Sequence, residues 1–154
     1  MTDTELLTLA KTLATDAHRG QTRWGGEPFI THPEAVAKIL ADSFEVGRHL
    51  EYQIVAWLHD ICEDGGYTTE QLWQKGFSAS TCAAVKALTR LPEEPYDAYI
   101  YRVGQQTVLA MRVKLADLSH NLSTSTDEQA RTKRIIWRLS AMYLRMKLGA
   151  RDLV

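Results

Sequence analysis

The hexapeptide His59-Asp60-Ile61-Cys62-Glu63-Asp64 concentrates the groups of this chain that are best suited to chemistry. It places one imidazole and three carboxylates directly after a short apolar run, residues 54–58. On a helix, side chains four positions apart share one side, so His59 would lie near Glu63 and Asp60 near Asp64. So much negative charge beside a buried segment is unfavourable without a cation. The pattern therefore predicts a divalent-metal site, against the alternative of a solvated acidic helix end.

Further ligand candidates occur elsewhere in the chain. His32 stands just before a proline that suits the first turn of a helix, so its ring is expected at a helix N-terminus. Asp117 and Asn121 are four apart on an apolar helix, where a carboxylate needs a cation or hydrogen-bond donors. Mixed nitrogen and carboxylate ligands suit Mn²⁺, Fe²⁺ or Co²⁺, and Zn²⁺ less exclusively. The predicted ligands are His32, His59, Asp60 and Asp117.

A metal with open coordination positions suits phosphate chemistry. It lowers the pKa of water and neutralises phosphoryl oxygens as charge develops. Glu63 and Asp64 would then orient or deprotonate the attacking water, or bind a second cation that accompanies the substrate. The sequence does not separate these roles.

Composition restricts the class of protein. The chain has 154 residues, 45% of them hydrophobic and 24% charged, and a net charge of −1, so we expect a single domain over residues 1–154 with no general attraction to nucleic acid or membranes. The two cysteines, Cys62 and Cys82, are too few for a disulfide framework, so we interpret both as small buried residues. The N-terminus lacks the basic region of a signal peptide, and no apolar run spans a membrane. These features predict a cytoplasmic protein.

Apolar residues recur at helical spacing along almost the whole chain, and the segment 20–33, rich in glycine and proline, is expected to be a loop. The sequence lacks both a GxxxxGK[ST] phosphate loop and a GxSxG nucleophile motif. The fold class is therefore all-α, a single helical bundle. We expect helices over about 4–18, 33–40, 48–64, 69–76, 78–91, 96–104, 107–122 and 128–148, the last with a basic face that is either solvated or a docking or homo-oligomer surface.

Four ordered motifs carry a family resemblance. They are the segments 17–23 (AHRGQTR), 26–33 (GEPFITHP), 58–64 (LHDICED) and 114–122 (KLADLSHNL). Together they resemble the HD-domain metal-dependent phosphohydrolase superfamily. More narrowly, they resemble the hydrolase domain of the RelA/SpoT family, whose stand-alone members are the small alarmone hydrolases. The match covers residues 17–125.

The resemblance implies an all-helical HD-domain fold and an enzyme that removes the 3′-pyrophosphate from guanosine tetra- or pentaphosphate, (p)ppGpp, in the stringent response. It implies one Mn²⁺ held by His32, His59, Asp60 and Asp117. It also implies that Arg23 stacks on the purine and that Asn121 contacts the nucleotide. Glu63 and Asp64 would handle the hydrolytic water.

Three departures from the family pattern affect the substrate. Trp24 replaces a basic residue, which would weaken a phosphate contact or offer a stacking surface; Gly65 replaces a threonine; and Leu118 replaces a basic residue. The adenosine analogue (p)ppApp therefore remains open as a substrate. The alternatives are an HD phosphohydrolase that acts on another nucleotide or phosphate ester, and a non-catalytic nucleotide sensor.

Overall fold

The fold is helical throughout, as the sequence predicts. A computed structural model describes residues 1–125 and 130–151. Over these ranges no strand occurs, apart from an isolated bridge between Thr22 and Pro28, and no helix has the length and apolar character needed to cross a membrane. The helices are α1 (Asp3–Ala17), α2 (Thr31–Ala41), α3 (Leu50–Leu58), α4 (Thr69–Gln74), α5 (Ala79–Leu88), α6 (Tyr96–Gly104), α7 (Val108–Thr124) and α8 (Arg131–Arg151).

Hydroxyl side chains mark where several helices begin. Thr2 accepts a hydrogen bond from the backbone N–H of Glu5, whose carboxylate bonds back to Thr2, and Thr68 begins α4 in the same way with Gln71. Thr107 caps α7 by accepting from the N–H of Ala110. Each cap satisfies a backbone donor that the helix itself leaves without a partner.

The helix α3 lies at the centre of the bundle. It packs against α1, α2, α5 and α7, and its residues 54–58 are all buried. A helix that is apolar on every side needs such surroundings. The helix α7 packs in turn against α2, α3, α5 and α8. This packing brings together the start of α2, the end of α3 and the middle of α7.

The central helix ends earlier than predicted, at Leu58 rather than at Asp64. Beyond Leu58 the N–H of Ile61 bonds to the Leu58 carbonyl, three residues back, at 3.1 Å. The ring of His59 donates to the Ala56 carbonyl at 2.6 Å. The α-helical ladder is therefore interrupted at this point by a tighter turn. The prediction that the helix continues without a break to Asp64 is wrong. The N–H of Asp64 nevertheless bonds to the Asp60 carbonyl four residues back at 2.9 Å, and the Asp60 and Asp64 carboxylates lie close together, as predicted.

The helix α5 also stops short, at Leu88 rather than at Leu91. The backbone N–H of Arg90 bonds to the carboxylate of Glu63, and the N–H of Leu91 bonds to Oε2 of Glu94 at 3.0 Å, so neither group continues the helical hydrogen bonds. Pro92 also disfavours helical geometry in the residue before it.

Two further predictions need correction or restriction. Cys62 and Cys82 are free thiols that are half-buried, not buried, because both lie at the edge of the core. The predicted start of the last helix near residue 128 lies outside the described residues. Among those described, α8 extends to Arg151, beyond the predicted end near residue 148.

Candidate active site

Three parts of the chain meet at one buried point. His32 lies in the first turn of α2, His59 and Asp60 follow α3 directly, and Asp117 lies in α7. The Nε2 atoms of the two histidines are 3.2 Å apart. Asp60 Oδ2 lies 3.1 Å from the Nε2 of His59 and 3.7 Å from that of His32. Asp117 Oδ1 lies 3.0 Å and 3.9 Å from the Nε2 atoms of His32 and His59. The structure thus brings together all four residues predicted as metal ligands.

Hydrogen bonds fix how the two imidazoles face this point. Nδ1 of His59 donates to the Ala56 carbonyl, so Nε2 is the nitrogen that faces the other predicted ligands. Nδ1 of His32 lies 2.7 Å from Nδ1 of His120. Burial lowers the pKa of His120 to about 4, so this ring is neutral near pH 7 and can accept the Nδ1–H of His32. Metal-binding histidines are commonly oriented in this way through their second ring nitrogen.

Asp117 is held ionised by its neighbours. Its Oδ2 accepts a hydrogen bond from Nζ of Lys114 at 2.7 Å, and its Oδ1 accepts from Nδ2 of Asn121 at 2.8 Å. Burial alone would raise its pKa, but the charge of Lys114 and the hydrogen bond with His32 hold that pKa well below its usual range. The carboxylate is therefore available as an anionic ligand at neutral pH.

The charges at this point attract a cation. Burial raises the pKa of Asp60, yet the nearby His59 outweighs burial and lowers it. Burial conversely lowers the pKa of His59, and the Asp60 carboxylate outweighs burial to raise it to about 9. In these surroundings His59 tends to hold a proton, as expected of a site that favours positive charge. The ligand atoms of His32, His59 and Asp60 all lie within 4.8 Å of one another, and this donor set fits a divalent metal.

Glu63 and Asp64 stand on the solvent side of Asp60. An oxygen from each of the three carboxylates lies within 4.8 Å of one from the other two. Burial raises the pKa of both outer carboxyls, and the charge of Asp60 adds to the rise. The backbone N–H of Arg90 donates to Oε1 of Glu63. The predicted water-handling pair thus lies beside the ligand cluster, with Glu63 tied to the end of α5.

The predicted substrate residues, Arg23 and Asn121, contact each other. Nη2 of Arg23 donates to Oδ1 of Asn121 at 3.0 Å and lies 3.3 Å from the hydroxyl of Thr124. Arg23 is buried, and desolvation lowers its pKa against the opposing charge of Glu27. Because Asn121 also bonds to Asp117, this pair links the loop before α2 to the ligand cluster.

A cavity of about 300 Å³ opens onto these groups. Its lining includes His32, Asp60 and Asp117, and also Arg23 and Asn121. The same lining includes Trp24, which the sequence analysis considered as a stacking surface. It also includes three residues that the sequence did not assign to the site: Tyr96, Lys114 and Trp137. Glu63 and Asp64 are not among the residues that line this cavity, but both lie close to Asp60, which is.

Some of the missed residues carried a usable signal. Lys114 and His120 stand three positions before and after Asp117, so one side of α7 presents all three. Trp137 carried no such signal, because it lies on a separate helix, and nothing in the sequence indicates that this helix reaches the site.

The sequence profile of the HD domain family matches residues 10–150. The chain belongs to the HD domain family. A solved structure described as "A metazoan ortholog of SpoT hydrolyzes ppGpp and plays a role in starvation responses" has the same fold, with a TM-score of 0.71, 21% sequence identity and 97% of each chain covered.

The sequence relatives that match this chain are much longer proteins. The guanosine-3′,5′-bis(diphosphate) 3′-pyrophosphohydrolase of Haemophilus influenzae is 40% identical over 129 residues, which cover 73% of this chain and 17% of that protein. The bifunctional (p)ppGpp synthase/hydrolase SpoT of Escherichia coli is 37% identical over 123 residues, again 73% of this chain and 17% of that protein. The chain thus spans about a sixth of the length of these relatives.

Proposed function

We propose that this HD-domain protein is a Mn²⁺-dependent 3′-pyrophosphohydrolase of guanosine 3′,5′-bis(diphosphate) or its adenosine analogue. The observation that carries the proposal is the convergence of four ligand residues, with Glu63 and Asp64 beside them. The activities printed in the names of the relatives from Haemophilus influenzae and Escherichia coli support the substrate class.

The residues that would hold the cation are His32, His59, Asp60 and Asp117. Their two imidazole nitrogens and two carboxylates favour Mn²⁺, and Fe²⁺, Co²⁺ and Zn²⁺ are its competitors. When bound, a divalent cation supplies Lewis acidity, which lowers the pKa of water and neutralises phosphoryl oxygens. Lys114 fixes one oxygen of Asp117, so the other oxygen faces the ligand cluster.

Glu63 is the proposed general base. A water oxygen attacks the phosphorus attached to the 3′ oxygen while the Glu63 carboxylate takes a proton from that water. The bond between this phosphorus and the 3′ oxygen breaks, which releases pyrophosphate and leaves a 3′ oxyanion. The oxyanion becomes a hydroxyl by taking up one proton, and Glu63 gives up the proton that it took from the water. The raised pKa of Glu63 makes it a better proton acceptor than an ordinary carboxylate.

Asp64 is the second carboxylate within reach of Asp60. The backbone of Asp64 is held in place, because Gln21 donates to its carbonyl at 2.8 Å. We assign it the orientation of the attacking water. Separate substitutions of Glu63 and Asp64 distinguish the general base from the residue that orients the water, since only the base takes part in the proton transfer.

The experiment is hydrolysis by the purified protein with Mn²⁺ and, in separate reactions, ppGpp, ppApp and GTP, with products resolved by anion exchange. We expect GDP or ADP together with pyrophosphate, and no turnover by an Asp60→Ala control that has lost its metal. Orthophosphate or triphosphate as the product would instead favour an HD phosphohydrolase of another specificity. No turnover of any substrate by metal-loaded protein would contradict the proposal.

A further inference from the structure

The outer side of α8 carries a row of apolar side chains, here called the apolar stripe. The helix packs on α6 and α7, and its buried residues include Ser140, Ala141 and Leu144. The opposite side presents four large apolar side chains, each between 51% and 63% exposed: Ile135, Leu139, Met142 and Met146. Single exposed apolar residues are ordinary on a protein surface, but a contiguous row of them indicates an interaction site.

The spacing of the apolar stripe is that of a coiled-coil seam. Successive members are four, three and four positions apart. This spacing places Leu139 and Met146 at the a position of a heptad, and Ile135 and Met142 at the d position. Side chains at these positions share one side of a helix and insert between the side chains of a second helix. The stripe is about 16 Å long at 1.5 Å per residue, so it fits one further helix that lies along α8.

Arginines follow one edge of the apolar stripe. Arg131, Arg138 and Arg145 are seven positions apart, so all three occupy the g position, next to an a position. Both Arg138 and Arg145 are exposed. In coiled coils the charges at the e and g positions form ion pairs between the helices and select the partner. The occupant of the stripe is therefore expected to carry carboxylates along that edge.

A second copy of α8 does not supply those carboxylates. Residues 131–151 contain no acidic residue, and their basic residues are Arg131, Lys133, Arg134, Arg138, Arg145, Lys147 and Arg151. An antiparallel pair of stripes would also bring Arg138 of one copy beside Arg145 of the other, and these like charges repel. The charges on α8 thus favour an acidic partner over self-association.

An anionic membrane fits the apolar stripe less well than a helix does. Helices that lie in a membrane interface have a charged side opposite the apolar side, and Trp or Phe often anchors them. The side of α8 opposite the stripe is instead packed on α6 and α7, and the stripe contains neither Trp nor Phe. Arginine at every seventh position also matches a second helix, whereas a membrane imposes no such repeat.

We propose that the apolar stripe and its arginine edge form a docking surface for an acidic amphipathic helix of another protein. That helix packs apolar a and d side chains on the stripe and pairs its carboxylates with Arg138 and Arg145. A row of four side chains is small beside the roughly 800 Å² per partner of a standard stable interface, so the association is weak and reversible. The stripe lies on the opposite side of α8 from Trp137, which lines the cavity, so the proposal does not depend on the proposed function.

The test measures how the whole chain binds two synthetic helices. Both peptides carry Leu at every a and d position. One carries Glu at every e and g position, and the other carries Lys there, so repulsion keeps each peptide from pairing with itself. Fluorescence anisotropy of the labelled peptides gives the two affinities. The variants Leu139→Ser and Met142→Ser change the apolar stripe, and the double variant Arg138→Glu, Arg145→Glu reverses the charge of its edge.

Matched controls lie outside the docking surface. Trp73→Ser removes an apolar side chain that is 59% exposed on α4. Lys133→Glu reverses an exposed charge on α8 that lies at a b position, away from the seam. Both controls should bind each peptide as the wild type does.

The wild type should bind the Glu peptide at least about fourfold more tightly than the Lys peptide, because each arginine attracts one peptide and repels the other. Each serine variant should bind the Glu peptide about tenfold more weakly, because it removes a large apolar side chain from the interface. The double arginine variant should prefer the Lys peptide. A reversed preference could not arise from a weakened fold, and circular dichroism of every variant should match the wild type.

Failure of the wild type to bind the Glu peptide would overturn the proposal, as would equal binding of the two peptides. An unchanged affinity in both serine variants would overturn it as well. Two measurements test the other occupants. Tighter binding to phosphatidylserine vesicles than to phosphatidylcholine vesicles, if Leu139→Ser abolished it, would assign the stripe to a membrane. Self-association in sedimentation that the same variant abolished would assign it to a second copy, and either result would refute docking of an acidic helix.

Discussion

Replacing Glu63 by Gln should remove the proton acceptor while preserving the shape of the site. The amide oxygen of Gln can still accept the hydrogen bond that the Arg90 backbone N–H gives to Oε1 of Glu63. Glu63 is not one of the four converging ligand residues, so metal binding should persist. The substitution therefore tests proton transfer alone.

The expected loss follows from the role of a positioned base. General-base catalysis contributes about 10²–10⁴ in rate, which is about 2.7–5.4 kcal/mol at 1.36 kcal/mol per tenfold. Burial raises the pKa of Glu63, and the hydrogen bond from Arg90 only partly opposes this. A carboxylate with a raised pKa lies closer to the optimum for a base, so we expect kcat to fall within that range while KM changes little.

The assay measures pyrophosphate release at saturating Mn²⁺ and determines bound metal by atomic absorption. Asp64→Asn shows whether the neighbouring carboxylate has an equal effect. Glu70→Gln, an exposed carboxylate on α4, is the control and should retain wild-type activity. A wild-type kcat in Glu63→Gln with full metal would refute the assignment of the base. Loss of metal together with activity would make Glu63 a ligand instead.

Three further predictions test the charges around the site. Lys114→Met should lower the free energy of unfolding of the metal-free protein by about 3–5 kcal/mol, because it removes the ammonium that is paired with the buried Asp117 carboxylate; urea titration measures this, and wild-type stability would contradict it. Hydrogen bonds from Arg102 lower the pKa of Glu94 from 4.5 to about 2, so Glu94→Gln should destabilise the protein near neutral pH. The melting temperature of the variant should lie below that of the wild type at neutral pH. The difference should shrink as pH falls from about 4.5 towards 2, since wild-type Glu94 then gains a proton and loses its ion pair. A difference that does not change with pH would contradict the prediction. Burial lowers the pKa of His59, but Asp60 raises it to about 9, so Mn²⁺ must displace a proton below that pH. Calorimetry in two buffers of different ionisation enthalpy should detect that release at pH 7–8 and its decline above pH 9, and metal binding without proton release would disprove the idea.

The convergence of His32, His59, Asp60 and Asp117 could be anticipated because these residues carry local signals in the sequence. His59 and Asp60 follow a run that is apolar at every position, and Asp117 stands on an amphipathic helix where a carboxylate needs a partner. Helical periodicity then placed these segments within one all-α fold. The residue types indicated a metal, and the family resemblance assigned a role to each site residue before any packing was known.

The rest depended on contacts that sequence spacing does not encode. The end of α3 at Leu58 follows from a bond between the His59 ring and the Ala56 carbonyl. The stacking of Trp24 on Trp137 joins a loop to α8 across the bundle. Gly65, a departure from the family pattern, also has a packing cause: a Cβ there would come within 2.8 Å of the Ala17 Cβ. A larger residue would therefore force α1 away from the acidic turn.

The orientation of Glu63 depends on a network that starts far from the metal ligands. Arg102 on α6 binds both carboxylate oxygens of Glu94, at 2.8 Å and 2.9 Å, and donates to the Thr89 carbonyl at 2.9 Å. Nε of Arg90 donates to the Glu94 carbonyl at 2.8 Å, and the N–H of Arg90 reaches Glu63. A bidentate guanidinium restricts geometry in a way that the single ammonium of lysine cannot. The turn between α5 and α6 therefore holds the proposed base in position.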